Sequence, residues 1–156
     1  MVKENESKEK LCLFFASDYH FEMISLPYIN EKLKQNKNVI IITENDLNNT
    51  VDKILSSINL NKEDKERITK INWENNDLNK FKEIKKANEE GKETVIFVKG
   101  KENYIENINK NIENWIKVED TKVVNCYDIN EVQNNVSNIA KKYNKILSTS
   151  GIEKLV

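Results

Sequence analysis

The segment LCLFFASDYH, residues 11–20, joins an apolar run to a polar turn and the start of a helical pattern. Its first six residues show no polar alternation, which is typical of a strand covered on both faces in a parallel sheet. Residues 38–43 (NVIIIT), 94–98 (TVIFV) and 122–127 (KVVNCY) form similar runs, separated by apolar residues at helical spacing. This alternation predicts an α/β fold, a three-layer sandwich with a mostly parallel central sheet of about five strands and helices on both faces.

Weaker signals predict several further elements. Residues 68–73 (ITKINW) are expected to form a strand, at an edge because charged and polar residues interrupt it. Pro27 lies inside the first helical pattern and predicts a kink or two short helices. Gly91 is placed to cap a helix in the left-handed conformation, and residues 147–156 could add a small strand. The last apolar stripe predicts one amphipathic helix, with the positions Val132, Val136, Ile139, Tyr143 and Ile146.

The 156 residues are expected to form a charged, disordered tail over residues 1–9 and a single α/β domain over residues 10–156. The chain has 25 basic and 26 acidic residues. It therefore lacks the excess of positive charge that would attract nucleic acid or an anionic membrane. It shows neither an apolar run of membrane-spanning length nor the apolar region of a signal peptide. These features predict a cytoplasmic protein without nucleic-acid or membrane partners. Cys12 and Cys126 fall in predicted strands and are expected to be buried and free.

A ligand site is expected beyond the carboxyl ends of the parallel strands, where open sheets of this kind bind ligands. Polar and aromatic side chains follow each predicted strand and could converge on one cleft. Two additional aromatic side chains, Phe15 and Tyr19, are expected to help wall it. The candidate ligand-binding residues are Ser17, Asp18, His20, Thr43, Glu44, Trp73, Lys99, Tyr127 and Asp128.

The first loop, residues 16–21 (ASDYHF), contains no glycine, whereas a nucleotide-binding α/β protein carries a glycine-rich phosphate cradle there. The three glycines of the chain belong to no such pattern, so no nucleotide cofactor is predicted. His20 is the only histidine and lies near Asp18, which suggests an acid/base pair, but residues so close along one turn seldom point at one another. One histidine and two distant cysteines do not predict a metal site. The sequence thus predicts neither a cofactor nor catalytic residues.

The succession LCLFFAS, an apolar helix containing a proline, NVIIITE, VIFVKG and CYD resembles the MEDS family, the methanogen and methylotroph sensory domains. Residues 12–15 match the first strand of that family, and residues 126–128 match the ending of its last strand. Lys10 stands where the family often has a histidine. The resemblance implies a fold similar to the RecA/KaiC class that has lost its nucleotide loop, acting as a small-molecule sensory module in bacterial and archaeal signalling.

Three hypotheses for the function follow. The first is a stand-alone sensory or regulatory domain that binds a small molecule at the strand ends, in signal transduction or transcriptional regulation. The second is a module that docks on a kinase or regulator through an exposed helix face bearing Trp115, Ile108 and Ile112. The third and weakest is an enzyme that uses Asp18 and His20. The sequence specifies neither the ligand nor the oligomeric state.

Overall fold

The chain alternates strands and helices around one central sheet. The computed structural model describes residues 8–115 and 121–154. The strands are β1 (Lys8–Phe15), β2 (Asn38–Thr43), β3 (Thr94–Gly100), β4 (Thr121–Asp128), β5 (Lys145–Ser148) and β6 (Gly151–Lys154). The helices are α1 (Asp18–Lys34), α2 (Asn48–Leu55), α3 (Lys62–Thr69), α4 (Asp77–Glu89), α5 (Glu102–Trp115), α6 (Ile129–Val132) and α7 (Val136–Ala140).

Within the described residues the strands form a six-stranded sheet in the order β2-β3-β4-β1-β5-β6. Strands β1 to β5 pair in parallel, and β6 pairs with β5 antiparallel. The predicted α/β class with a mostly parallel sheet is therefore confirmed. The short strand foreseen after residue 147 is β6, which forms a hairpin with β5 at the edge of the sheet.

Helices cover both faces of the sheet, which gives the predicted three layers. On one face α1, α2 and α3 bury residues such as Phe21, Val51 and Ile68 against the strands. On the other face α4, α5, α6 and α7 bury residues such as Ile84 and Ile108. Because both faces are covered, the strand residues are apolar on both, and burial of each large apolar side chain stabilises the fold by roughly 1.5–3 kcal/mol.

The two cysteines are buried and free, as predicted. Cys12 packs with the α4–α7 side of the core, and Cys126 packs with the α1–α3 side. Burial raises the pKa of the Cys12 thiol to about 11, so this thiol stays protonated at neutral pH.

Strand β1 begins earlier than the sequence predicts. Residues 1–7 of the expected tail lie outside the described residues, whereas Lys8 and Glu9 belong to β1. The Glu9 carboxylate pairs with Lys145 and lies 3.4 Å from the Nζ of Lys122. Burial alone would raise the pKa of Glu9, but the two lysines outweigh it and lower the pKa. Strand β1 therefore extends into a charged segment of the sequence, because ion pairs with neighbouring strands stabilise it there.

The strand predicted at residues 68–73 is wrong. Helix α3 runs to Thr69, and the chain then forms a turn and loop that lead to α4. Trp73 fixes this loop, because its indole Nε1 donates to the carbonyl of Ile68 at 2.9 Å and its own carbonyl accepts from the amide of Leu47 at 3.0 Å. Ile68 is thus buried from the last turn of α3, and Trp73 is buried by a loop that folds onto the core.

The predicted division at Pro27 is also wrong, since α1 continues through Pro27 as one helix of 17 residues. An internal proline costs about 3 kcal/mol in an exposed helix. In α1, residues on both sides of Pro27 are buried against the sheet, among them Leu26 at 1% exposure and Ile29 at 0%. This packing holds the helix together across the missing hydrogen bond.

The single helix predicted after β4 is broken. It becomes α6, a 3-10 turn at residues 133–135 and α7, and the break falls at Gln133, whose φ is 43°. Ile146, the last member of the predicted stripe, lies in β5. The members of the stripe nevertheless all pack on the α4–α7 side of the core. The spacing therefore predicted correctly which residues contact the core, but it predicted their backbone conformation incorrectly.

Candidate functional site

Asp18 and Lys99 are the two predicted site residues whose side chains the structure brings together. The Nζ of Lys99 lies 2.9 Å from Oδ1 of Asp18, with the Lys99 side chain 4% exposed and that of Asp18 37% exposed. The ammonium also lies 4.8 Å from the ring centroid of Phe15 and 5.5 Å from that of Phe21. The ion pair therefore joins the start of α1 to the end of β3, and the rings of Phe15 and Phe21 pack against its ammonium group.

Ser17 and His20 stabilise the first turn of α1 through hydrogen bonds to the backbone. The Oγ of Ser17 accepts from the amide of His20 at 3.1 Å, which caps the helix. The Nδ1 of His20 accepts from the amide of Ala16 at 2.8 Å. Because Asp18 bonds to Lys99 and His20 bonds to the backbone, the geometric basis for the acid/base pair is absent.

Thr43 and Glu44, at the end of β2, are used in the packing of the strand ends. Thr43 is fully buried, and its Oγ1 donates to the carbonyl of Asn45 at 2.7 Å. Glu44 Oε1 accepts from the amide of Lys101 at 2.8 Å. Gly100 passes so close to Glu44 that a Cβ there would lie 2.8 Å from this same oxygen. Thr43 thus stabilises the loop after β2, and Glu44 stabilises the loop after β3.

Trp73 and Tyr127 lie on opposite sides of the sheet, so the expected aromatic wall does not form. Trp73 and Phe15 belong to the core on the α1–α3 side, and Tyr127 belongs to the core on the α4–α7 side. The hydroxyl of Tyr127 shares a 2.6 Å hydrogen bond with that of Tyr143. Tyr19, the remaining member of the expected wall, is 54% exposed.

Asp128 ends β4 and caps α6. Its Oδ1 accepts from the amide of Asn130 at 2.8 Å. Asn130 in turn donates through Nδ2 to the carbonyl of Ala16 at 3.3 Å, which ties the end of β4 to the first loop. The role of Asp128 in the structure is thus that of a turn former.

A groove between α1 and α2 contains polar residues that the sequence analysis missed. We call it the α1–α2 groove. It has two adjoining compartments, of about 360 Å³ and about 250 Å³, and Glu22 and Ile54 line both. The larger compartment is lined by Glu22, Met23, Leu26, Pro27, Asn30, Glu31, Ile54, Ile58, Asn59 and Leu60. The smaller compartment is lined by Tyr19, Glu22, Thr50, Lys53, Ile54 and Ser57.

Glu22 and Asn30 are the polar side chains buried in the wall of this groove. Glu22 is 2% exposed and Asn30 is 7% exposed. Oε2 of Glu22 and Oδ1 of Asn30 are both buried without a hydrogen-bond partner. Buried acceptors are normally paired, so the two unpaired acceptors make this groove the candidate site.

The electrostatic surroundings of Glu22 disfavour its ionised form. Burial is the largest cause and raises the pKa of Glu22, and the charge of Asp18 raises it further. A hydrogen bond from Thr50 and the charge of Lys99 act in the opposite direction but do not cancel the effect of burial. The Thr50 hydroxyl has one proton, and the carbonyl of Leu47 lies 3.1 Å away and competes for it.

We predict that Glu22→Gln raises the free energy of unfolding of the ligand-free protein by about 1 kcal/mol at neutral pH, since the amide has nearly the same shape and removes a buried charge that lacks a partner. The folded-state pKa of Glu22 lies above its ordinary value of 4.5. Well below pH 4.5 the carboxyl group is protonated in both the folded and the unfolded state, so its charge does not lower the stability there. The advantage of the variant should therefore be small below pH 4.5, grow as the pH rises from 4.5 towards the folded pKa, and stay constant above it.

Urea unfolding of both proteins between pH 4 and pH 8 measures this difference. Glu83→Gln, on the exposed surface of α4, is the matched control and should give a much smaller change with pH. A Glu22→Gln variant that is less stable than the parent at every pH would show that the carboxylate stabilises the fold.

Residues 8–115 and 121–154 hold no group of three or more His, Cys, Asp or Glu side chains that could bind a metal ion. Among the helices in these ranges, none has both the length and the apolar character that crossing a membrane requires.

The chain was compared with protein-family models, with curated proteins and with solved structures, and none of them matches it. The fold and the candidate site together define an α/β protein with a partly apolar groove between α1 and α2.

Proposed function

We propose that this chain is a sensory or regulatory domain of the MEDS type that binds a small molecule in the α1–α2 groove. The observation that carries the proposal is the Glu22 carboxylate, buried in the wall of both compartments with one oxygen unpaired. Both helices start at the carboxyl edge of the sheet, directly after β1 and shortly after β2, and the smaller compartment includes Tyr19 and Thr50 from their first turns.

The first loop supports a sensory role over nucleotide use. In a phosphate cradle the backbone amides point at the ligand, and glycine lets them come close to it. Here the Ala16 amide is bonded to His20 at 2.8 Å and the His20 amide is bonded to Ser17 at 3.1 Å. The amide of Phe21 is bonded to the carbonyl of Ser17 at 2.9 Å. Amides already used in this way cannot cradle a phosphate.

Docking through the α5 face, the second hypothesis, has less support. Ile108 is 4% exposed and Ile112 is 3% exposed, because both pack against the sheet. The side chain of Trp115, the third residue of that surface, lies outside the described residues. The two isoleucines are therefore unavailable as anchors for a partner.

Native mass spectrometry of protein purified gently from its own host tests the proposal. We expect a reproducible additional mass that is lost on denaturation. Met23→Trp, which enlarges a 43% exposed residue on the wall of the larger compartment, should remove this mass. Leu78→Trp, at a 68% exposed position on α4, is the matched control and should retain it. A chain without additional mass, or equal loading of both variants, would contradict binding in the groove.

A further inference from the structure

The charges of the larger compartment have one sign. Glu22 and Glu31 are its acidic members, and the described residues that line it include no lysine, arginine or histidine. The smaller compartment differs, because Lys53 lines it. A ligand with a positive charge is therefore favoured in the larger compartment, with its charge held away from Lys53.

The remainder of the larger compartment favours a hydrocarbon body. Methyl and methylene groups dominate its wall, and its volume of about 360 Å³ suits a ligand of a few to a dozen heavy atoms. The apolar residues that supply this wall are Met23, Leu26, Pro27, Ile54, Ile58 and Leu60.

Within residues 8–115 and 121–154, Glu22 forms no salt bridge with a lysine or arginine. The nearby ammonium of Lys99 is already paired with Asp18 at 2.9 Å. Oε2 of Glu22 is left without a donor, and Asn30 supplies a second unpaired acceptor in the same compartment. A bound group that carries N–H donors and a positive charge would supply both missing interactions of this carboxylate.

We infer that the α1–α2 groove binds a primary aliphatic amine in its ammonium form, with the ammonium on Glu22 and the alkyl chain on the apolar wall. This inference rests on the proposed function, because it names the ligand class of the same groove. Neutral ligands of equal length should bind more weakly, since they leave the carboxylate without a counter-ion. Anionic ligands should bind more weakly still, because they bring like charges together.

Titrations of ligand-free protein with n-hexylammonium chloride, 1-hexanol and sodium hexanoate, followed by methyl NMR, test the inference. We expect saturable shifts of the Leu26 and Ile54 methyl signals with hexylammonium, at an affinity at least about tenfold above that for hexanol. Glu22→Gln should reduce the affinity for hexylammonium about tenfold or more and leave the affinity for hexanol unchanged. Glu83→Gln, remote from the groove on α4, should alter neither.

Two kinds of result overturn the inference, and they bear differently on the proposed function. Equal affinities for hexylammonium and hexanol, or a Glu22→Gln variant with unchanged affinity for hexylammonium, would reject the ammonium assignment and leave small-molecule binding in the groove intact. No saturable shift with any of the three probes would also reject the assignment. The proposed function fails separately, when protein from its own host carries no additional mass.

Discussion

Aspartate in place of Ile41 is expected to eliminate the cooperative thermal transition and to leave the protein insoluble. Ile41 and Ile96 lie in neighbouring central positions of β2 and β3 and are each 0% exposed. An isolated carboxylate in such a position costs several kcal/mol, and loss of the isoleucine side chain adds about 2–5 kcal/mol. The sum approaches the roughly 5–15 kcal/mol that a domain has as its total stability.

Circular dichroism melts and solubility after expression measure this effect. Leu78→Asp, which places the same charge at a 68% exposed position on α4, should melt close to the parent. Ile96→Asp should behave as Ile41→Asp does, because the α4–α7 side of the core buries it equally. A soluble Ile41→Asp protein with the midpoint of the parent would show that β2 is not a buried strand.

Replacement of Lys99 by methionine is expected to lower the free energy of unfolding by about 2 kcal/mol at neutral pH. Methionine retains apolar contact with the Phe15 and Phe21 rings and removes only the charge. Loss of one partner from a fully buried ion pair costs about 3–5 kcal/mol, and the partial exposure of Asp18 reduces this figure. Glu22 also loses the one nearby cation that lowers its pKa.

Urea unfolding of the Lys99→Met protein and of the Asp18→Asn, Lys99→Met double variant separates the charge effect from packing. The double variant should regain part of the lost stability, because it no longer leaves a carboxylate without its partner. A Lys99→Met protein within 0.5 kcal/mol of the parent, roughly the size of an exposed pair, would show that this ion pair is not structurally important.

The sheet was predictable because strands covered on both faces show as continuous apolar runs, as in NVIIIT and TVIFV. The same signal cannot distinguish a strand from any other buried segment. Trp73 is buried in a loop, and Ile146, which is partly buried, lies in a short strand at the end of an apparent helical stripe. In both cases the sequence reports burial, and tertiary contacts decide the backbone conformation.

The candidate site was predictable only in part. The rule that ligands bind at strand ends predicted that Asp18 and Lys99 could lie close together, and they do, because β1 and β3 end at the same edge of the sheet. Glu22 was missed because a glutamate within a helix is usually exposed to solvent. Its burial depends on how α2 packs on α1, which no local pattern shows. Its position four residues before the buried Leu26 is the one signal in the sequence that could have identified it.

The central claim is that a small molecule binds between α1 and α2, and methyl NMR of ligand-loaded and ligand-stripped protein tests it most directly. The account predicts that shift changes concentrate on Leu26, Ile54 and Ile58, which line the groove, while Ile108 and Ile112 on the opposite face of the sheet stay unchanged. Changes centred on Ile108 and Ile112, with the groove signals unaltered, would contradict it.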